Sequence, residues 1–424
     1  VTLANNAAAV LAIQSDETIG SLAGGGATGG NVTVDTGVTL SLGNDDTDST
    51  YSGSVQGAGN FEKTGTGTTT FDGSNTLTGI LTISEGTVLM DADNTFADTM
   101  DLTLGGGTFA TNGASDTFGT FTLADDSTID FRGATGGFLT FDDMTRSGGD
   151  LLIDQWTGSL TGGGNTRLQV TASSLGGGLL ANTTFTGWGE AQLINVGGLV
   201  YELVPTLSEF TIWDDGAGPN DNWDLNANWT GSSPNGDGDR AYFGNDPTGT
   251  GTQTVVLNRN RTVGTLILDS TDDDDYQMSA SGDNRRLDFQ DPSGVANLIV
   301  AGNQAHVIDN TNTNNERINI RLDDDLLIQN NSIDATGLTF GTSGGDHIFE
   351  LNGNGLTISG SSRTIIHGNI QDTGAIIKND IGILQLTDAA NSFTGGVTLN
   401  NGTIEIGSDF AFGTGDLTIN GGSF

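Results

Sequence analysis

The sequence predicts an all-β fold, a right-handed parallel β-helix (β-solenoid) built from modules in tandem. Two blocks of the chain, residues 63–109 and 378–424, match each other at a constant offset of 315 residues, with one residue of slack. Such self-similarity is typical of solenoids, in which each short unit buries its apolar face only against its neighbours. Glycine is abundant, at 67 of 424 residues, and proline is scarce, at 5. This composition favours short strands joined by tight turns.

Strand patterns recur at short intervals almost throughout the chain. Each one alternates an apolar residue with Thr, Ser or Asp, which is the period of a half-buried strand. Asn-Gly pairs between them indicate turns, and no stretch shows a sustained helical period with capping residues. A sandwich or an up-and-down barrel would use similar strands. The close tandem spacing and irregular turn lengths favour the β-helix for residues 1–131 and about 255–424.

All five tryptophans fall in two regions that interrupt this pattern. Trp156 and Trp188 lie in the first region, and Trp213, Trp223 and Trp229 lie in the second. Large aromatic residues concentrate where a core is thicker or where its end must be closed. The predicted organisation has four parts, which are a first solenoid module at 1–109, a closing β block at 110–205, a tryptophan-rich opening segment at 206–254 and a second solenoid module at 255–424.

The chain is strongly acidic, with 53 acidic and 13 basic residues and a formal net charge of −40. This balance argues against binding to nucleic acid or to an anionic membrane surface. It favours divalent cations, above all Ca²⁺, which prefers oxygen ligands. The chain has no cysteine, so disulfides and thiolate zinc sites are excluded.

No segment approaches the roughly 20 apolar residues that span a bilayer, and the sequence does not begin with a signal peptide. Both ends, at residues 1–3 and 422–424, interrupt a strand pattern. We therefore expect a mature fragment or a part of a longer polypeptide. We also expect each end to pack against another β coil, from the continuing chain or from a second subunit, because an uncovered solenoid end exposes apolar groups.

A glycine-lysine motif carries a family resemblance. Residues 57–71 read G-A-G-N-F-E-K-T-G-T-G-T-T-T-F, and a second, looser copy surrounds Lys378, where Asp380 replaces a glycine and Phe393 restores an aromatic residue. This pattern resembles the autotransporter-associated β-strand repeat, also called the passenger-associated transport repeat. We expect Lys63 and Lys378 to occupy equivalent places on their coils.

The middle of the chain resembles the same kind of protein. Segments within 127–205 look like the block that closes a repeat array in large exported bacterial surface proteins, and the tryptophans of 213–229 look like the start of the next array. The resemblance implies a secreted β-helical passenger at the bacterial cell surface or outside the cell. It transfers no catalytic residues and leaves the mode of anchoring open.

Two short motifs and three histidines are weak candidates for chemistry. Residues 341–345 fit the G-x-S-x-G nucleophile elbow, but that elbow needs a following helix and a histidine partner. Residues 24–29 fit G-x-G-x-x-G without a surrounding βαβ unit. His306, His347 and His367 stand apart from one another in the sequence, which favours solvent-facing or stacked histidines over a catalytic or metal role.

Acidic clusters are the remaining candidates, at residues 45–48, 272–275 and 323–325. Solvated turns explain such runs, but the same oxygens are suited to weak Ca²⁺ binding. The candidate Ca²⁺ ligands are Asp272, Asp273, Asp274, Asp275, Asp237 and Asp239. Paired carboxylates with Arg285 and Arg286 nearby would suit cleavage of a glycan.

The sequence therefore predicts a non-enzymatic extracellular protein, structural or adhesive, that forms a stiff rod, a fibre or a surface matrix. The expected partners are further β coils, end to end, and an extracellular glycan. No cofactor other than Ca²⁺ is expected. The alternative is a β-helix that binds or cleaves glycans. A cleft lined with exposed aromatic residues and convergent acids would favour this alternative, whereas a uniform surface of stacked Asn and Thr would favour the structural or adhesive protein.

Overall fold

A computed structural model of the chain describes residues 1–132, 136–216, 220–245, 251–271, 274–282, 284–309, 316–343 and 347–423. Strand accounts for 49% and helix for 2% of the structure. The chain divides into two compact units, Val1–Leu207 (unit 1) and Ser208–Phe424 (unit 2). Each unit is a stack of short coils whose strands pair in parallel with those of the next coil, with about 17 coils in the two units together. The predicted parallel β-solenoid is confirmed.

Alternation of apolar and polar residues produces the strands. In Asn31–Val34 and Thr39–Leu42, every second side chain is buried, and the residues between them are half-exposed. Successive side chains of a strand point to opposite faces, so one face of each strand enters the core. Stacking the coils in parallel then places the apolar side chains of successive coils above one another.

Unit 1 has three faces, which we name a, b and c in the order in which the chain visits them. Face a comprises Thr2–Leu3, Ala23–Gly24, Ser49–Tyr51, Thr68–Phe71, Thr87–Met90, Thr108–Thr111, Ser127–Asp130, Leu151–Asp154 and Thr183–Phe185. Face b comprises Val10–Ile13, Asn31–Val34, Val55–Gly57 and Thr76–Leu77. Face c comprises Glu17–Ile19, Thr39–Leu42, Asn60–Lys63, Ile80–Ile83, Asp101–Gly105, Asp116–Asp125, Phe138–Arg146 and Arg167–Val170.

Antiparallel strands close unit 1. Gly189–Gly197 pairs with Thr183–Phe185 of face a and with Val200–Pro205, which in turn pairs with Arg167–Val170 of face c. The short 3₁₀ segments Gly176–Gly178 and Leu180–Asn182 precede these strands. Trp156 and Trp188 are buried here with their rings in edge contact, at a centroid distance of 5.5 Å. The large aromatic side chains are part of the buried core of this region.

Unit 2 repeats the three-faced arrangement. Face c comprises Thr211–Ile212, Arg240–Phe243, Thr265–Ser270, Val295–Gly302, Asp325–Asn330, Leu356–Ser359, Ile376–Lys378, Val397–Leu399 and Leu417–Ile419. Face a comprises Gln253–Leu257, Tyr276–Ala280, His306–Ile308, Leu338–Phe340, Arg363–Ile366, Ile383–Leu386 and Thr403–Ile406. Face b comprises Arg261–Val263, Arg285–Phe289, Ile318–Leu322, Ile348–Glu350 and Asn369–Gln371.

Three tryptophans close the beginning of unit 2. Trp213, Trp223 and Trp229 surround Phe243 with ring-centroid distances of 5.2–5.6 Å. The indole N–H of Trp229 donates to the carbonyl of Trp223 at 2.7 Å, and that of Trp223 donates to another carbonyl of the same segment. A 3₁₀ segment, Asn226–Asn228, lies between the last two tryptophans. The order of tryptophans in the sequence thus corresponds to one buried aromatic cluster.

Parallel pairing in unit 1 continues beyond residue 109, through Arg167–Val170 on face c. On face a it continues through Thr183–Phe185. Antiparallel partners are then added to both of these strands by Gly189–Gly197 and Val200–Pro205. The predicted division into four segments stays a prediction. The described residues include no helix with the length and apolar character that a membrane crossing requires.

Candidate functional site

A buried lysine marks the corner between faces c and a in unit 1. Lys63 ends the strand Asn60–Lys63 and pairs in register with Leu42 below it and Ile83 above it, so its stem takes the place of an aliphatic residue in the core. The side chain is fully buried. Its Nζ donates hydrogen bonds to the carbonyls of Thr64 and Gly65, each at 2.6 Å. The lysine therefore binds the tight turn that follows its own strand.

Lys378 has the same place in unit 2. It ends Ile376–Lys378 on face c, between Ile358 and Leu399 in the same column. Its Nζ donates to the carbonyl of Asn379 and, at 2.9 Å, to that of Asp380. The predicted equivalence of the two lysines is confirmed.

One glycine of the next coil completes each lysine corner. Gly86 and Gly402 both have positive φ, at 66° and 77°. A Cβ atom at these positions would lie 2.7 Å from the Nζ of Lys63 and 2.9 Å from that of Lys378. It would also lie within 2.3 Å of a carbonyl oxygen of the lower turn. The motif needs glycine there because the upper coil packs directly on the lysine-bound turn.

A buried asparagine joins three successive coils in each copy of the motif. The Oδ1 of Asn75 accepts from the backbone N–H of Val55 at 2.8 Å, and its Nδ2 donates to the carbonyl of Thr95 at 2.9 Å. Asn391 does the same between the N–H of Ile370, at 2.7 Å, and the carbonyl of Ala411, at 2.9 Å. The sequence pattern did not reveal this role, although the two asparagines match in the two similar blocks.

Many aspartates bind backbone N–H groups of the neighbouring coil. Asp46 and Asp48 accept from the N–H groups of Thr66 and Thr68, at 2.8 and 2.7 Å. In the cluster at 323–325, Asp325 accepts from the N–H of Gly355 at 2.6 Å. These carboxylates satisfy N–H groups at corners that the strand ladders leave open. Part of the acidic charge therefore serves contacts between coils.

The candidate Ca²⁺ ligands are dispersed among separate contacts where the structure describes them. Asp274 is buried and accepts from Gln253, Asp275 accepts from Gln277, and Asp239 accepts from the N–H of Asn235. Asp237 is exposed in the same turn as Asp239.

Asp272 and Asp273 lie outside the described residues. Among the residues that are described, no three acidic or histidine side chains come together as a metal site. Ca²⁺ binding stays a prediction.

The three histidines are buried or half-buried. The Nδ1 of His306 accepts from the N–H of Tyr276 at 3.0 Å, and burial lowers its pKa to about 4. The Nδ1 of His367 contacts the Thr387 hydroxyl at 2.7 Å, and burial lowers its pKa. These contacts join neighbouring coils.

His347 forms a relay that the sequence pattern did not reveal. Its Nδ1 contacts the carboxylate of Asp309, and its Nε2 accepts from the N–H of Thr342 at 2.8 Å, with the Thr342 hydroxyl 3.2 Å away. The order of contacts resembles a hydroxyl–histidine–carboxylate triad. However, the backbone N–H of Thr342 occupies the Nε2 lone pair that a general base would need. The arrangement therefore fixes the turn after Leu338–Phe340, and part of the elbow motif, Gly344 and Gly345, lies outside the described residues.

The arginines considered for glycan cleavage have other partners. Arg286 binds Asp288 on its own strand, with one N–O distance of 2.9 Å, and Arg285 donates to the carbonyl of Ser281. The structure thus does not join either arginine to Asp274 or Asp275 through a described contact.

The lysine corners coincide with a known family pattern. The family model described as "Passenger-associated-transport-repeat" matches residues 61–90 and 376–406. The chain contains two passenger-associated transport repeats. Each repeat begins in the strand that ends with the buried lysine and includes the buried asparagine. It ends in a face a strand, which is Thr87–Met90 in the first copy and Thr403–Ile406 in the second. The family resemblance expected from the sequence is confirmed.

A longer relative matches most of the chain. The "Adhesin BmaC autotransporter" of Brucella suis biovar 1 (strain 1330) is 28% identical over 417 residues, which cover 91% of this chain. The chain spans only 11% of the length of that relative. No solved structure was found that matches the chain.

Proposed function

We propose that this chain is an adhesive, non-enzymatic part of a secreted or surface-exposed passenger. The observation that carries the proposal is the pair of transport repeats within a parallel β-solenoid, each built on a buried lysine corner. The similarity to an autotransporter named as an adhesin supports the same function. Because that relative is far longer than this chain, its whole activity is not transferred.

The distribution of polar side chains supports a non-enzymatic role. The lysine corners, the buried asparagines, the aspartate contacts and the relay at His347 all bind backbone groups of their own or a neighbouring coil. A catalytic group must instead present a lone pair or a proton to a substrate. Polar groups that hold coils together suit a chain whose task is to present a long surface.

We further propose contact between β coils end to end. On the last described coils of unit 2, four large apolar side chains are exposed, at 42–73% of their full area. They are Ile406, Phe410, Leu417 and Ile419. An apolar edge with open backbone groups favours a further β coil, from the same polypeptide or from a second copy. A rod or fibre built in this way is the form that we propose for the adhesive surface.

Bead adhesion tests the proposed function. Fluorescent beads coated with the purified chain are placed on epithelial monolayers and on dishes coated with extracellular matrix, and the bound beads are counted after washing. We expect at least tenfold more bound beads than with serum albumin coating. Counts no higher than those of albumin-coated beads on every surface would overturn the adhesive role. Turnover of cell-surface glycans by the soluble chain would overturn the non-enzymatic role.

A further inference from the structure

An open cleft of about 650 Å³ crosses the first coils of unit 1, at the corner between faces a and b. The corner segments of the first two coils, residues 4–9 and 25–30, are long, whereas those of the next two, residues 52–54 and 72–75, are short. The short corners form the floor of a recess beside the longer ones. The volume lies within the range of about 300–1,000 Å³ that is usual for ligand sites.

Internal hydrogen bonds fix the walls and the floor. The buried hydroxyl of Tyr51 donates to the carbonyl of Gly30 at 2.7 Å, which ties the floor to the wall. The Thr28 hydroxyl donates to the Oδ1 of Asn5 at 2.6 Å, and the Thr28 N–H donates to the same atom at 3.0 Å. A ligand would therefore meet a preformed surface, which lowers the entropic cost of binding.

Polar groups on the floor are left for a ligand. Within the described part of the chain, the hydroxyls of Ser52, Ser54 and Ser74 and the carboxylate of Asp72 have no hydrogen-bond partner. All four residues line the cleft. Asp72 and Ser74 are exposed, and Ser52 and Ser54 are half-buried. These groups can accept and donate hydrogen bonds at the same surface.

Strand register arranges these groups in two columns. Phe71 pairs with Tyr51, so Asp72 follows above Ser52. Thr76 pairs with Gln56, so Ser74 lies above Ser54. Neighbouring strands are about 4.8 Å apart, so the polar groups repeat at that spacing along the cleft. A ligand with polar groups in a similar repeat would contact both coils.

The chemistry of the cleft points to one class of ligand. We propose that it binds a neutral oligosaccharide, whose ring hydroxyls both donate to the Asp72 carboxylate and exchange hydrogen bonds with the serines. A single carboxylate is a poor cation site, since Ca²⁺ takes six to eight oxygen ligands. The carboxylate and the net charge of −40 oppose an anionic ligand. No side chain of the described lining is a larger apolar group than alanine, so the cleft offers no large apolar side chain to anchor an apolar ligand. This inference rests on the proposed adhesive function and names its ligand class.

A printed array of neutral, sialylated and sulfated oligosaccharides tests this inference with the full-length chain. We expect binding to at least one neutral oligosaccharide, weakened at least tenfold in the double variant D72N/S74A. The matched control is D98N, which makes the same charge change at an exposed aspartate outside the cleft lining. Its binding should equal that of the native chain. Circular dichroism melting confirms that all variants are folded.

Three results would overturn the inference. They are no binding to any neutral oligosaccharide, binding to anionic ones alone, and equal binding by D72N/S74A and the native chain. The bead assay distinguishes failure of the proposed oligosaccharide binding from failure of the proposed adhesive function. If beads coated with D72N/S74A adhere as well as beads coated with the native chain, the proposed adhesive function stands and the cleft has no part in it.

Discussion

Lys63 and Lys378 lie in different units of the chain and make the same contacts. Each side chain is buried at the end of a face c strand, and each Nζ donates to the first two carbonyls of the following tight turn. In each case, a glycine of the next coil lies against the Nζ. The shared motif in the sequence is therefore a shared piece of structure, a lysine that replaces an aliphatic residue in the core and binds the corner from inside.

Removing the amine should destabilise the corner. The variant K378M keeps an apolar stem in the column but leaves the carbonyls of Asn379 and Asp380 without their donor. We expect a loss of about 2 kcal/mol in the free energy of unfolding, because a buried polar group without a partner costs about 1–3 kcal/mol. Chemical denaturation measures the change. In the control L399M, directly above Lys378, the cost should stay below about 1.5 kcal/mol. An equal cost in both variants would contradict the role of the amine.

The same lysine should make stability depend on alkaline pH. Burial lowers the pKa of Lys378 to about 8, from 10.5. Between about pH 8 and 10, the unfolded chain binds more protons at this group than the folded chain, so the free energy of unfolding should rise with pH. The rise should be smaller in K378M. Denaturation midpoints at several pH values measure it, and parallel profiles for the two proteins would contradict the prediction.

His306 should make the free energy of unfolding depend on acidic pH. Burial lowers its pKa to about 4, so between about pH 6.5 and 4 the unfolded chain binds the proton first. Stability from this group is therefore lost as the pH falls through that window. In H306N, the amide oxygen can still accept from the N–H of Tyr276, but it does not titrate. The difference in unfolding free energy between the native chain and H306N should shrink from pH 7 to pH 4. A constant difference would show that His306 does not titrate in this window.

The buried asparagine should matter more than exposed asparagines on the same coils. Asn391 bonds to the coils on both sides of its own, so N391A should cost about 1–3 kcal/mol through the groups that it leaves unpaired. Asn400 makes side-chain bonds to Asn379 and Asn420, but it is exposed to water. The matched variant N400A should therefore cost less than about 1 kcal/mol. Denaturation of the two variants gives the comparison, and an equal loss would contradict the bridging role of Asn391.

The sequence predicts the repeated parts of this structure better than its corners. Strand alternation and the glycine-lysine motif predict the parallel coils and the equivalence of Lys63 and Lys378, because both depend on local pattern. The contact of His347 with Asp309 was missed because it joins different coils, and coil length in this chain is irregular.

The candidate site was the least predictable feature. The acidic runs that drew attention as Ca²⁺ sites include aspartates that bind N–H groups of the next coil, as Asp48 does at Thr68. The cleft beside Ser52 and Ser74 arises from a change in corner length between coils. A change of this kind has no clear residue signature, since the long corner 25–30 and the short corners 52–54 and 72–75 are all built from small and polar residues around glycine.

Binding of the labelled chain to intact epithelial cells tests the adhesive function most directly. The bound fraction is measured over a range of concentrations, with and without an excess of unlabelled chain. We predict saturable binding that an excess of unlabelled chain abolishes. We also predict that the surface glycans of the cells are not cleaved. Binding that rises linearly with concentration and resists competition would contradict it.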